Sequence, residues 1–101
     1  MKVTKNDSIS IIEISGADRV EFLNNILTND VSKVSNKNSI YTCLLSPQGK
    51  LIADLILSDF KESLFICSYS KFRDDLIKVL NMYKLRSKVK IEDVSNDYQY
   101  Y

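Results

Sequence analysis

Residues 39–57, SIYTCLLSPQGKLIADLIL, read as two apolar strands folded back on each other about Ser46-Pro47-Gln48-Gly49. Serine opens the turn, proline presets φ at its second position, and glycine takes the left-handed conformation that closes a three-residue loop. If Pro47, Gln48 and Gly49 join Ser46 to Lys50, an unbroken ladder predicts Tyr41 opposite Leu55, Thr42 opposite Asp54, Cys43 opposite Ala53 and Leu44 opposite Ile52. Side chains alternate along a strand, so one face carries Tyr41, Cys43, Leu45, Leu51, Ala53, Leu55 and Leu57, the expected floor beneath the helices. The other carries Ile40, Thr42, Leu44, Ile52, Asp54 and Ile56. Both faces are largely apolar, which predicts that both are covered.

Upstream of the hairpin, ISIIEI over residues 9–14 is an apolar, β-branched run that reads as a first strand and stops at Ser15-Gly16. Ser15, with Asp18 three residues on, is the expected N-cap of a helix whose buried stripe is Phe22, Leu23, Ile26 and Leu27. Residues 28–38 read as a loop or short turn of helix. Downstream, 64–68 read as a fourth strand, and Ser70 is expected to cap a second helix with Phe72, Leu76, Val79, Leu80 and Tyr83 on one face. Residues 88–94 close as a fifth strand. The order is β-α-β-β-β-α-β, an α+β fold with a mostly antiparallel sheet and two helices on one face. At 101 residues the chain is expected to be one domain, residues 1–101.

With 45% hydrophobic and 27% charged residues the chain has the apolar content to build a core. Fourteen basic and thirteen acidic residues leave a net charge of +1, too small a field to recruit nucleic acid or anionic lipid, so neither is an expected partner. No run approaches the roughly 20 apolar residues that span a bilayer, and MKVTKNDSIS has no signal-peptide core, so a cytoplasmic location is expected. There is no histidine, and Cys43 and Cys67 sit inside apolar runs, where buried structural thiols are expected and no metal site is.

Asp54 is the residue that invites a functional reading. A carboxylate within LIADLIL must be hydrogen-bonded, paired or protonated if it is buried. One reading is an aspartate that is edge-exposed or bonded to Thr42, with no further role. The other is a carboxylate on the wall of a cleft, placed to accept a hydrogen bond from a ligand N–H or to take a proton.

Two patterns extend that reading. Gly16-Ala17-Asp18, Phe22-Leu23 and Thr28-Asn29-Asp30-Val31 resemble the opening signature of the glycine-cleavage T-protein superfamily, and residues 41–55 resemble its next signature, a hairpin ending in an aspartate-bearing strand. The segment from Tyr83 to Ile91 is similar to the one that closes the first part of YgfZ-type proteins. Transferases of the superfamily usually carry paired acids before the strand's leucine. Ala53-Asp54 and the Pro-Gln-Gly-Lys turn are nearer the YgfZ style. The resemblance implies a folate-binding protein that supports iron-sulfur cluster assembly and iron-sulfur enzymes, including a tRNA-modifying one. An aminomethyltransferase that passes a one-carbon unit to tetrahydrofolate is the alternative, and a non-enzymatic interaction module that kept the fold is a third. The residues it assigns to folate are Asp54, with Tyr41 and Thr42 as neighbours, and it assigns no catalytic residue here. The later Lys-Gly-Cys-Tyr-x-Gly-Gln-Glu motif of YgfZ-type proteins has no match, so the chain is expected to be a truncation or a short form. Tetrahydrofolate is then expected to need the carboxy-terminal part.

Lys84, Arg86, Lys88 and Lys90 alternate with Leu85, Val89 and Ile91 and are expected on a solvated strand face. The tail Tyr98-Gln99-Tyr100-Tyr101 is expected to fray or to pair with another chain. A homodimer is expected through the face carrying Ile40, Leu44, Ile52 and Ile56.

Overall fold

The structure, a computed structural model, describes residues 8–35 and 38–95. Five strands form one sheet in the order β2-β3-β4-β1-β5, with every neighbouring pair antiparallel. They are β1 (Ile9–Ser15), β2 (Ile40–Leu45), β3 (Leu51–Phe60), β4 (Ser63–Tyr69) and β5 (Lys90–Asp93), with α1 (Arg19–Ile26) after β1 and α2 (Arg73–Lys84) after β4. The expected β-α-β-β-β-α-β order and α+β class are those observed. The aromatic tail, residues 98–101, lies outside the described residues.

Both helices pack on the same side of the sheet. Phe22 and Leu23 of α1 and Leu76, Val79 and Leu80 of α2 join Ile12, Ile14, Leu44, Leu57, Leu64 and Ile66 in one core. Each such side chain taken out of water contributes about 1.5–3 kcal/mol before entropy is charged against it. Among the described residues the opposite face holds a small cluster of Ile11, Phe65 and Val94 beside Cys67. Beyond it, Tyr41, Ile56, Phe60 and Tyr69 remain exposed.

The hairpin turn forms as its residues dictate. The Ser46 N–H donates to the Lys50 carbonyl at 2.7 Å and the Gly49 N–H to the Ser46 carbonyl at 2.9 Å, with Gly49 at φ +83°. The ladder beyond it differs from expectation. Leu45 pairs with Leu51 but Leu44 pairs with Ala53, so Ile52 is the extra residue of a β-bulge. From there Cys43 faces Asp54, Thr42 faces Leu55, Tyr41 faces Ile56 and Ile40 faces Leu57. A one-residue slip exchanges the faces of one strand against the other. Ile40, Thr42 and Leu44 therefore lie under the helices with Ala53, Leu55 and Leu57, all of them buried, and Ile52 packs against the same core. The bulge lets both strands bury their best-fitting residues while the hydroxyl of Tyr41 stays wet. Ile40, Leu44 and Ile52 are thus core residues, and they do not form the open face expected to mediate a dimer.

Smaller corrections follow from the same register logic. Ser15 is not a cap, because it is paired with Lys90 in the β1–β5 ladder, and α1 starts after Asp18. Ser70 opens a 3₁₀ turn, Ser70–Phe72, and Phe72 precedes α2. Leu85 is exposed where alternation placed it inside, because α2 ends at Lys84 and Leu85 leaves it with φ 43°. Of the four cations, only Lys90 is in a strand.

Candidate functional site

The bulge decides what surrounds Asp54. With Cys43 directly across from Asp54 and Tyr41 across from Ile56, Tyr41 and Asp54 become diagonal neighbours on the helix-free face. The Tyr41 hydroxyl donates to Asp54 Oδ2 at 3.0 Å. That bond, then partial loss of hydration and the nearby negative charge, pushes the Tyr41 phenol up to about 12, so it remains a protonated donor at any physiological pH. Asp54 makes no second side-chain hydrogen bond among the described residues, which leaves Oδ1 open.

The β3–β4 ladder pairs Ile56 with Cys67, and beyond it the Ser68 hydroxyl donates to the Asp54 carbonyl at 2.8 Å, which brings this end of β4 beside Asp54. Ile9, Tyr41, Asp54, Ile56, Cys67 and Tyr69 thereby line an open hollow of about 170 Å³. Drug-sized pockets run to about 300–1,000 Å³, so the hollow has room for a ring rather than for a whole extended ligand. Chemically it offers one carboxylate oxygen as an acceptor, set among apolar and aromatic walls. A ring bearing one N–H donor complements that single acceptor. Tyr69 and Ile9 were not singled out from the sequence, because only the β3–β4–β1 register brings them beside Asp54.

Thr42 is in a different place. It is 2% exposed on the helix side, where its Oγ1 lies 3.3 Å from Thr28 Oγ1 and accepts the Asn29 N–H at 3.1 Å. The Thr28-Asn29-Asp30 turn is a bracket on the outer edge of β2. Thr28 N–H donates to the Cys43 carbonyl, Cys43 N–H to Thr28 Oγ1, and Asn29 Nδ2 to the Tyr41 carbonyl. Asp30 caps the next turn through Ser32, whose side-chain and backbone bonds hold its carboxyl below the usual range. Gly16-Ala17-Asp18 is likewise architectural, since Asp18 Oδ2 accepts the Lys88 N–H at 2.8 Å. The Thr28-Asn29 motif therefore holds the β2 edge beside Tyr41, and the Gly16-Ala17-Asp18 motif holds the approach to β5 at the other edge of the sheet.

Cys43 and Cys67 are half-buried free thiols on the open face, and burial pushes the Cys67 thiol up. Among the described residues no three His, Cys, Asp or Glu side chains gather as a metal site, and no helix is long and apolar enough to cross a membrane.

Known proteins are similar to this chain in sequence and fold. The chain is 28% identical to the mitochondrial iron-sulfur cluster assembly factor IBA57 homolog of Mycosarcoma maydis, over 96% of this chain and 27% of that protein. It is 32% identical to the Neurospora crassa homolog of the same name, over 89% of this chain and 22% of that one. An aminomethyltransferase of Bacillus velezensis is 34% identical over 54% of the chain and 15% of its own length. The chain thus spans about a quarter of the length of the first two relatives. The fold matches the crystal structure of the glycine cleavage system aminomethyltransferase T from Bartonella henselae with a TM-score of 0.79 at 20% identity, over 86% of this chain and 24% of that one. The family model described as the GCVT N-terminal domain matches residues 3–100, and the chain belongs to that family.

Proposed function

We propose that this chain supplies the Asp54 wall of a reduced-folate site in a protein that supports iron-sulfur cluster assembly, in the manner of YgfZ-type proteins. The observation that carries the folate part is the Asp54 carboxylate, held by Tyr41 with Oδ1 open beside a ring-sized hollow. The iron-sulfur part is supported by relatives named for that role that align over 96% and 89% of the chain, including the hairpin and both flanking motifs. Because the chain contributes one wall, its own affinity for a reduced folate is expected to be weak. Service to a tRNA-modifying iron-sulfur enzyme and a cytoplasmic location belong to the same reading.

Nuclear magnetic resonance titration of the chain with 5-formyltetrahydrofolate tests the folate part. Saturable shifts confined to the hollow, lost in Asp54→Asn, are expected. No saturable response, or one centred elsewhere, overturns it. A second reading, one-carbon transfer to tetrahydrofolate, is favoured by the aminomethyltransferase relatives and by the fold match. Methylenetetrahydrofolate formed by the chain above the uncatalysed rate would decide for it.

A further inference from the structure

We propose that Tyr41 is a positioning residue: its hydroxyl holds Oδ2 of the Asp54 carboxylate in the hollow and leaves Oδ1 as the less engaged acceptor for a ligand. The ligand's identity rests on the folate reading above, whereas the pair itself does not.

An aspartate on an open sheet face turns freely about its last torsion, which has broad preferences and no steric lock. The bond from Tyr41 at 3.0 Å supplies the lock. Tyr41 can do so because its own strand is pinned: Asn29 Nδ2 donates to its carbonyl, and Thr28 bonds the backbone of Cys43 two residues on. The bulge at Ile52 completes the geometry, since without it Tyr41 and Asp54 point to opposite faces. The phenol is 62% exposed, so the bond is not a by-product of core packing. Its retained proton keeps the donor in place across the physiological range.

One consequence is selectivity. A guanidinium grips a carboxylate through both oxygens, and here one is already engaged. A single N–H donor on a ring needs only Oδ1. The hydroxyl therefore tunes the carboxylate for a one-point donor.

Ultraviolet titration of the 101-residue chain reads the pair with no ligand present. One of the six tyrosines is expected to ionise near pH 12 in the wild type, and near 10.0 once Asp54→Ala removes the acceptor. Resonance titration with 5-formyltetrahydrofolate reads the consequence. Tyr41→Phe is expected to bind about tenfold more weakly, the loss of one hydrogen bond to a charged group. Ordinary ionisation of all the tyrosines, or Tyr41→Phe binding as tightly as the wild type, overturns the proposal. A wild type that shows the high ionisation but no response to the folate supports the positioning bond and refutes the folate reading, so the two fail separately. Both side chains stand on the open face, so each variant is expected to stay folded, with circular dichroism as the check.

Discussion

Asp18 grips Lys88 from two directions: its Oδ2 accepts the Lys88 N–H at 2.8 Å, and its own N–H donates to the Lys88 carbonyl at 3.2 Å. Gly16 completes the clamp, because it sits at φ +113° with no side chain, and a Cβ there would be driven into the same carbonyl oxygen. Gly16→Ala is therefore expected to destabilise the chain by at least about 2 kcal/mol, from left-handed strain plus displacement of the backbone leading into β5. Urea unfolding checks it, and an unchanged midpoint would mean that the close approach is relieved without cost.

Thr42→Val keeps the shape of the side chain and removes the acceptor used by the Asn29 N–H. The expected loss is about 1–2 kcal/mol, the cost of leaving a partly buried donor unpaired. Because Thr42 lies beneath the helices, the hollow on the other face should be untouched. A Thr42→Val variant that loses stability and keeps its response to reduced folate meets this expectation. Direct loss of binding at full stability would return Thr42 to the site.

The Tyr41–Asp54 bond also predicts a pH dependence of folding. The phenol ionises at about 12 in the folded chain against 10.0 unperturbed. A folded value raised above the unfolded one means stabilisation that is fully present below pH 10.0 and lost as the pH climbs through about 12. Denaturant midpoints of the wild type should fall through that window more steeply than those of Tyr41→Phe. Parallel curves would show that the bond does not survive in solution.

Lys61 and Glu62 form the two-residue turn between β3 and β4 with φ of 51° and 63°, positions that suit asparagine and glycine far better. The double change Lys61→Asn, Glu62→Gly is expected to raise stability by about 1 kcal/mol, since each left-handed non-glycine residue costs roughly that much. A lower melting temperature would show that the turn is held by contacts of these two side chains.

Tyr41, Ile56, Phe60 and Tyr69 leave an apolar stretch on the helix-free face of the kind that proteins usually cover. Concentration-dependent self-association is the expected outcome in sedimentation, relieved by Ile56→Lys. Leu44→Lys should instead unfold the chain, because Leu44 is fully buried. A monomer at every concentration would sink the expectation.

How far the sequence could be read depended on how local each signal was. The Ser46–Gly49 turn is written in four residues with fixed dihedral preferences, and it formed as expected. The bulge at Ile52 has no such signature. It is selected by the joint burial of Ile40 and Leu44 with Ala53 and Leu57, a decision of the whole core. Asp54 was visible as a carboxylate in an apolar strand, yet its partner was not, because the unbulged register sent Tyr41 to the opposite face. Ser15 and Ser70 have good capping chemistry, and strand pairing and a 3₁₀ turn claimed them first. The Lys61-Glu62 turn lacked the glycine or asparagine that announces one.

The strand order has a consequence for how the chain is made. Among the described strands β1 comes first along the chain and yet is an interior strand of the finished sheet, flanked by β4 and β5. Glu13 must wait for Ser63, fifty residues later, before its hydrogen bond can form. The β2–β3–β4 meander needs only neighbours joined by short turns, so it is free to assemble while β1 is still unpaired. β1 is then expected to add to the β4 edge, with the Asp18–Lys88 clamp closing after it. During synthesis the run ISIIEI is thus a bare, sticky strand in search of an edge, and pulsed hydrogen exchange should find its amides among the last to be protected.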